Sequence, residues 1–590
     1  MSRKRLLPES VLERMGSLLA AIQEAEKAAE DWRADARVHV LRNYTTEPLD
    51  PYLSLHLLRD DILPTISHGG YGTIAQELLD PDSPIAKSPP DIIVLSLLVE
   101  FVDPAISADG WTADTAIKEI TAYINTLVEQ SSALVVANTF IPPIDVLLGE
   151  MPDSTGQELD RLNEHLLDVA SQHANRVVIC DWRELPGLGA PDSVIDRRFW
   201  KSSQAPFRAA FLDLYARRIA SFVRAAKGLS KKCLILDCDN TLWGGVVGED
   251  GLSGIELDAT VEPGVSFRDF QKTVVDLHEK GVMIAVCSKN NEEDVWNVFE
   301  NHEHAVLQKS HLVAWRINWE DKANNIVSIV DELNIGLDSV VFVDDSPRER
   351  ALIANRLPDV TLIAFPDGEP PGPELLTRDV FFESLSTSVE DASRTRMYQQ
   401  QSVRSDEKDR FADLSDYLQS LQTVVRIARV DDSSIGRVTQ LTQKTNQFNL
   451  TTRRYSEADI REFANDPNAA VFRMAVEDRF GDMGTTGVFI ARLDGRTAVI
   501  DTLLLSCRVL GRQLETALVD QCMRALEACW TVTHWQSQYI ATRKNQQTAE
   551  FWDRMGFDMV SGDEMSKQYA CDARLRIVDY LNVMTVESEY

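Results

Sequence analysis

Cysteine is scarce in this chain, with eight among 590 residues and no two placed as CxxC. That spacing excludes a disulfide framework and a zinc site of the paired-cysteine kind. It leaves each cysteine available as a working thiol in a reducing compartment, so a cytoplasmic protein is expected. Long apolar runs are also missing. The most apolar stretch, DIIVLSLLVEFV (91–102), contains Glu100 and falls short of the roughly eighteen residues that a membrane helix needs. Behind the basic start MSRKRLLPES there is neither a long apolar segment nor a small-residue cleavage pattern, so no secretory signal is read. Positive charge is in deficit too: 60 Lys and Arg stand against 92 Asp and Glu, a net charge of −32. Nucleic-acid binding needs basic surface to displace phosphate counterions, and this balance argues against it. An acidic partner protein would need a local basic patch to meet this surface.

The composition itself, 44% hydrophobic and 26% charged, is that of an ordinary soluble globular protein. A chain of this length exceeds one core and points to about three or four domains. The expected fold class is α/β and multidomain. In residues 1–227 the runs ARVHVL (36–41), DIIVLSLL (91–98), SALVVANTF (132–140) and RVVICDW (176–182) read as buried strands separated by helices, the pattern of a covered parallel sheet. Helical spacing of Phe207, Phe211, Leu214, Ile219 and Phe222 predicts an amphipathic helix over 206–226. The stretches HGGYG (68–72) and NTFIPP (138–143) read as loops. A second α/β block spans 228–384 and ends near the proline-rich DGEPPGPELL (367–376). Residues 385–419 read as a polar connector. The third block, 420–590, places the strands TVVRIARV, AAVFRMAV, TGVFIARL and TAVIDTLLLS around a helix over RQLETALVDQCMRALEA, which suggests a mixed sheet.

The chemistry-bearing residues gather in the second block. In LILDCDNTLWGG an apolar strand runs into Asp237-Cys238-Asp239. Such a strand end lies at the carboxyl edge of an open sheet, where α/β folds place ligands. Residues two apart can face one side of an extended chain. Two carboxylates so placed either hold a divalent cation or divide the work of nucleophile and acid, and phosphoryl transfer uses both. Later strand ends and helix starts add Ser288 in AVCSKN, Lys322 in WEDKANNI, and Asp344 with Asp345 in VVFVDDSP. These supply a hydroxyl donor, a fixed positive charge and further carboxylates for a metal.

In order and context, these four pieces resemble the four motifs of the haloacid dehalogenase-like phosphohydrolases. The resemblance implies Asp237 as nucleophile, Asp239 as acid and base, and Thr241, Ser288 and Lys322 as phosphoryl-orienting groups. It also implies Mg²⁺ held by Asp237, the carbonyl of Asp239, and Asp344, with Asp345 nearby. Only 46 residues (242–287) and 33 residues (289–321) separate the motifs, too few for a substantial cap domain. An uncapped site suits a bulky or protein-borne substrate, or borrows its lid from a neighbouring domain.

A narrower resemblance follows from KKCLILDCDNTLWGGVVGEDG, CSKNNEEDV, INWEDKANNI, FVDDSPRER, QLTQKTNQFNLTTRRY (440–455) and LLLSCRVLGRQLE (503–515). Together these are similar to the FkbH-like proteins of polyketide and related pathways, over at least 230–560. The resemblance implies that a glyceryl unit from 1,3-bisphosphoglycerate is dephosphorylated, carried as an enzyme thioester and delivered to the phosphopantetheine arm of an acyl carrier protein. The alternative is a free-standing phosphatase of a small sugar or acyl phosphate. A third reading is a carrier-binding module with a vestigial phosphatase site. The third block resembles GNAT-type acyltransferases. There, Arg508, Gly511 and Arg512, between a strand and a helix, together with Asn545, would meet phosphopantetheine; the same arginines also read as solvated surface charges. The acyl-bearing thiol is expected at Cys507, with Cys287, Cys238 and Cys233 as alternatives. The first block resembles the SGNH-hydrolase-like region ahead of such domains. It has no GDS motif, and it is expected to be a scaffold or docking domain, with His68 as a turn residue or a catalyst.

Overall fold

The computed structural model describes residues 35–60, 62–108, 110–150, 155–185, 191–366, 368–377, 380–385, 404, 411, 413–542, 544–563, 565–573 and 579–589. Most of the expected connector therefore lies outside the described residues. The chain divides into two compact units, one formed by 1–227 with 379–386, the other by 228–378 with 387–590.

The first unit is built on five parallel strands: β1 (Ala36–Arg42), β2 (Pro64–Tyr71), β3 (Ile92–Ser96), β4 (Leu134–Asn138) and β5 (Val177–Cys180), in the order β2-β1-β3-β4-β5. Every residue of β3 and β4 is buried, as expected for strands covered by helices on both faces. The main covering helices are α1 (Asp50–Arg59), α2 (Asp114–Gln130), α3 (Gly156–Gln172) and α4 (Ala209–Ala226). The predicted helix at 206–226 is thus found, starting slightly later. Its Phe211 and Tyr215 pack edge-on against buried Trp182, with ring centroids 5.4 and 5.2 Å away. The stretch HGGYG is not the expected loop. His68 to Tyr71 belong to edge strand β2, paired with β1 through Val40–His68 and, after a register shift, Arg42–Tyr71. Glycines in an edge strand imitate a loop in sequence because they lack the side chains that mark a strand. The ring of His68 lies between Thr46 Oγ1 and the Asp50 carboxylate, both at 3.0 Å.

The second unit holds two sheets. The first, in the central block, contains β6 (Cys233–Leu236), β7 (Met283–Ser288), β8 (Leu312–Ile317), β9 (Val340–Val343) and β10 (Thr361–Ile363), all parallel, in the order β10-β9-β6-β7-β8. The connecting helices are α5 (Gly264–Glu279), α6 (Glu292–Asn301), α7 (Lys322–Glu332) and α8 (Pro347–Arg356). The strand order reverses between β6 and β9, whose ends carry Asp237 and Asp344. Ligands bind in parallel sheets at such a reversal.

The third block adds β11 (Thr423–Arg429), β12 (Phe448–Asn449), β13 (Ala469–Asp478), β14 (Gly481–Asp494), β15 (Thr497–Leu505), β16 (His534–Ile540), β17 (Asp558–Gly562), β18 (Ser566–Asp572) and β19 (Met584–Glu589). The order is β17-β18-β16-β15-β14-β13-β11-β19, with β12 beside β15. Only the β15–β16 and β11–β19 pairs are parallel among the pairings of this sheet. The expected mixed sheet is present, and α9 (Leu514–Cys529) covers it on the Trp535 side. This block is fastened to the amino-terminal edge of the central sheet. Asn334 Nδ2, just past α7, donates to the Cys507 carbonyl at 2.6 Å. Lys544 pairs with Asp338, and Asn446 Nδ2 donates to the Gly228 carbonyl at 2.9 Å.

Candidate active site

At the carboxyl edge of the central sheet, β6 releases Asp237 and β9 releases Asp344, while α7 begins with Lys322. The Lys322 ammonium sits between the two carboxylates, 3.0 Å from Asp237 Oδ1 and 2.7 Å from Asp344 Oδ2. All three side chains are nearly enclosed; Lys322 is 3% and Asp344 0% exposed. Burial alone would push the ammonium down, but the Asp237 and Asp344 charges hold it well above its ordinary value. Asp344 is pushed up to about 6, first by burial and then by the Asp237 charge, with Lys322 opposing. Asp345, half-buried beside it, is raised by the same two causes in the same order.

The turn after β6 arranges the second carboxylate. Asn240 takes a left-handed conformation (φ 53°), which Asn tolerates better than most residues, and its Oδ1 accepts from Gly245 N at 3.0 Å. The chain folds back so that Gly244 and Glu256 exchange backbone hydrogen bonds at 3.0 and 2.8 Å. A side chain at Gly244 would collide with Glu256 and Phe267, so this loop needs glycine there. The fold-back aims Trp243 Nε1 and Val247 N at Asp239 Oδ1, at 2.9 and 3.1 Å. Asn290 Nδ2 holds the other oxygen at 2.9 Å and also reaches Ser288 Oγ at 3.2 Å. Burial raises the Asp239 pKa, these three hydrogen bonds oppose the rise, and the Asp237 charge adds to it. Thr241 is fully buried, and its Oγ1 has no hydrogen-bond partner among the described residues. Its hydroxyl therefore lies beside the Asp237–Asp239 turn with its hydrogen-bonding capacity unfilled by these residues.

The sequence-derived set of Asp237, Asp239, Thr241, Ser288, Lys322, Asp344 and Asp345 thus gathers at one sheet edge. One oxygen each of Asp237, Asp344 and Asp345 lies within 4.8 Å of the others. Three hard oxygen donors, two of them with pKa values raised first by burial and then by the Asp237 charge, suit Mg²⁺. Between Thr241 and Ser288 the chain forms the folded-back loop with a one-turn helix (Val247–Asp250), then α5 and β7. Between Ser288 and Lys322 it forms α6 and β8 with a short 3-10 turn. The expected lack of a cap domain is what the structure shows.

The cysteines of the central sheet and of the turn after β6 are unsuited to open chemistry. Cys233, Cys238 and Cys287 are wholly buried. Burial pushes the Cys287 thiol up to about 12 and raises those of Cys233 and Cys238 well above the ordinary thiol value; the neighbouring Asp237 adds to the rise at Cys238. Cys507 is half-buried in a 3-10 turn after β15. Its carbonyl contact with Asn334 places it beyond the far end of α7, twelve residues or about 18 Å of helix from Lys322.

The phosphopantetheine residues expected in the third block are mostly inside the fold. Arg512 is buried; its Nη2 donates to Asp478 Oδ2 and Thr423 Oγ1, both at 2.9 Å. Asp478 is also gripped by Arg404 at 2.8 and 2.9 Å. Arg508 is buried with Nε 3.3 Å from Ser506 Oγ. Neither arginine is the solvated charge of the alternative reading. Gly511 alone of the four is open, at φ 75° with free space where a side chain would stand. Asn545 is 0% exposed and works as a clasp. Strands β15 and β16 pair only over Thr497–Ile500 and then part. The chain around β12 enters the gap, with Leu450 N on Leu503 O at 3.2 Å and Ile540 N on Leu450 O at 2.8 Å. Asn545 Nδ2 fastens this insert through Asn449 O and Ile540 O, each at 2.9 Å. An amide that bridges two chains in a core looks the same in sequence as one that meets a ligand.

Two supporting residues escaped the sequence reading. Asn290 orients both Asp239 and Ser288, and its only sequence signal was its place two residues after Ser288. Arg350 Nη1 binds the Asp345 carbonyl at 2.6 Å and that of Asp344, which fixes the acidic turn from one helical turn further on.

Comparison with known proteins agrees with this geometry. The sequence profile of the NLI interacting factor-like phosphatase family matches residues 232–393. Among solved structures, the chain is similar to the N-terminal part of BF1531 from Bacteroides fragilis, which contains a phosphatase domain complexed with Mg. The identity is 26%, with 65% of this chain and 98% of that one covered, at a TM-score of 0.55. Slighter likenesses reach the ribosomal-protein-S18-alanine N-acetyltransferase from Escherichia coli (12% identity, 26% and 97% covered, TM-score 0.21) and Arabidopsis thaliana NAA60 with a bisubstrate analogue (14%, 26% and 99%, TM-score 0.21). No curated protein matches in sequence. No helix among the described residues is long and apolar enough to cross a membrane. The central block is a phosphohydrolase domain of the haloacid dehalogenase-like kind, and Mg²⁺ is the cofactor its acidic cluster fits.

Proposed function

We propose that this domain removes the phosphomonoester from a phosphoglyceryl unit whose carboxyl end is destined, through a Cys507 thioester, for the phosphopantetheine thiol of an acyl carrier protein. The observation that carries the phosphatase step is Lys322 bridging Asp237 and Asp344 at an uncapped sheet edge. The glyceryl reading is supported by the sequence resemblance around these same residues.

A donor such as 1,3-bisphosphoglycerate holds two different phosphates. A thiolate attacking C1 forms a carbon–sulfur bond and breaks the acyl C–O bond, releasing inorganic phosphate and leaving a 3-phosphoglyceryl thioester. The remaining phosphomonoester is then a substrate for the aspartates. An Asp237 oxygen attacks phosphorus, the bond to the glyceryl oxygen breaks, and Asp239, whose raised pKa favours its acid form, gives that oxygen a proton. Asp239 next takes a proton from water, whose oxygen attacks phosphorus. The Asp237–phosphorus bond breaks and phosphate leaves. Lys322 offers a fixed positive charge to the phosphoryl oxygens, and Ser288 and Thr241 offer hydroxyls. Mg²⁺, held by Asp237, Asp344 and Asp345, would supply Lewis-acid neutralisation of phosphate charge when bound. The first unit is read as an SGNH-like scaffold.

Intact-mass measurement tests the thioester. Incubation with Mg²⁺ and 1,3-bisphosphoglycerate should add a glyceryl mass that is absent in Cys507→Ala. A second reading, a phosphatase of small phosphates that uses no thiol, is favoured by the burial of Cys238 and Cys287 and the far placement of Cys507. Phosphate release at equal rates from wild type and Cys507→Ala, with neither enzyme nor carrier acylated, would select that second reading.

A further inference from the structure

The first unit carries a hydrogen-bonded relay that the phosphate chemistry leaves unused. His39 and Ser67 are register partners on β1 and β2, so their side chains rise side by side from one face of the sheet. His39 Nδ1 lies 2.8 Å from Ser67 Oγ, and its Nε2 lies 2.7 Å from Glu77 Oε1. Glu77 stands on the short helix Ile74–Leu79 that follows β2. Glycine at 69 makes room for this carboxylate, since a side chain there would strike Glu77 Oε2. A carboxylate only accepts hydrogen bonds, so it holds the ring proton on Nε2 and leaves the Nδ1 lone pair facing the serine. The Ser67 hydroxyl therefore donates to Nδ1; its other acceptor, the Val38 carbonyl, is at 3.5 Å. A buried histidine bonded at both nitrogens is often only a clasp between elements. Here the ring is 2% exposed, but its partner at Nδ1 is a serine that solvent reaches. A donor for the charge of an attacked carbonyl stands beside that serine. The Ala36 N–H on the Leu63 carbonyl, at 3.2 Å, sets the phase of the parallel ladder. In that phase Ser67 turns its N–H to β1, and His68 turns its own to the open side of β2, the outer strand of its sheet.

We propose that Ser67 and His39, positioned by Glu77, form a second catalytic site that hydrolyses small carboxylic esters through an acyl-serine. Ser67 Oγ bonds to the carbonyl carbon while its proton passes to His39 Nδ1, and Glu77 steadies the imidazolium. The carbon–oxygen bond to the alcohol breaks, and the alcohol takes the proton from Nδ1. Water then gives a proton to Nδ1 as its oxygen bonds to the acyl carbon; the acid leaves and Ser67 regains its proton. The His68 N–H meets the oxyanion at both steps. Exposed Thr65, Gly70 and Tyr71 leave the nucleophile on an open surface, which fits a short acyl group and not a long chain that needs an enclosing pocket. The set lies mid-strand, away from the carboxyl edge of the sheet. It goes beyond the scaffold reading of the first unit and does not depend on the phosphatase.

The test treats the full chain with a fluorophosphonate probe and, separately, with p-nitrophenyl acetate, for wild type, Ser67→Ala and Glu77→Gln. Wild type should take the probe on the peptide containing Ser67 and release p-nitrophenolate with turnover, unchanged by EDTA. Ser67→Ala should lose the label and about a hundredfold of the ester rate. Glu77→Gln can turn its amide N–H to Nε2, which puts the ring proton on Nδ1 against the serine. Its labelling rate should fall about a hundredfold at an unchanged circular dichroism spectrum. Should Glu77→Gln fail to fold, the exposed Ser67→Ala decides alone. No label at Ser67 in wild type, equal ester rates in wild type and Ser67→Ala, full labelling of folded Glu77→Gln, or loss of turnover in EDTA would each overturn the proposal.

Discussion

The two five-stranded parallel sheets reverse their strand order once each, and they treat that reversal in opposite ways. In the first unit it lies between β1 and β3, and hydrogen bonds seal it. Asn43, just after β1, donates to the Leu98 carbonyl and accepts from Leu98 N, both at 2.9 Å. Neighbouring Tyr44 and Tyr215 both bond Ser96 Oγ, at 2.8 and 3.1 Å. One strand over, Asn138 makes a matching pair of bonds with Leu97, at 2.8 and 2.9 Å. In the central block the reversal lies between β6 and β9, and there the ends carry Asp237, Asp344 and Asp345, with a single lysine between the first two. Satisfied amides give rigidity; crowded carboxylates give a place for a cation and a phosphate. The same architecture therefore closes its reversal with amides or opens it to a cation and a phosphate, according to the first side chains beyond the strands.

The contrast can be broken from either side. The largest effect belongs to Lys322→Met. Phosphate release should fall at least a hundredfold through loss of a preorganised positive charge. The metal-free protein should also lose about 3 kcal/mol in denaturant unfolding, because two buried carboxylates lose their partner. Asn290→Ala should lower kcat about tenfold to a hundredfold with a smaller change in KM, read in steady-state phosphate release, since it loosens Asp239 and Ser288 together. The smallest effect on chemistry belongs to the sealed reversal. Asn43→Ala should destabilise the first unit by about 1–3 kcal/mol in denaturant unfolding, by leaving the buried Leu98 N–H without its acceptor, and phosphate release should stay at the wild-type rate. A drop in turnover for Asn43→Ala would show that the first unit takes part in the chemistry.

The sequence revealed what a strand end can reveal. Asp237 and Asp344 each follow an uninterrupted apolar run, with Asp239 and Asp345 close behind, so their shared edge could be inferred without coordinates. The short gaps between motifs likewise foretold the missing cap. Arg508, Arg512 and Asn545 were misplaced because polarity in sequence does not report burial. Asp478, which turns Arg512 inward, lies on another strand far along the chain. Asn290 had only its place two residues after Ser288 as a signal, since its importance comes from contacts between loops that meet only in the folded sheet. The glycines of HGGYG concealed an edge strand that pairs with β1 through backbone and through Arg42 Nε, which donates to the Gly69 carbonyl at 3.1 Å.

Trapping the covalent intermediate tests the central claim most directly. After brief incubation with Mg²⁺ and a ³²P-labelled phosphomonoester, acid-quenched protein should carry hydroxylamine-labile label on the peptide containing Asp237. Label on another residue, or the same label in the Asp237→Asn protein, would contradict it.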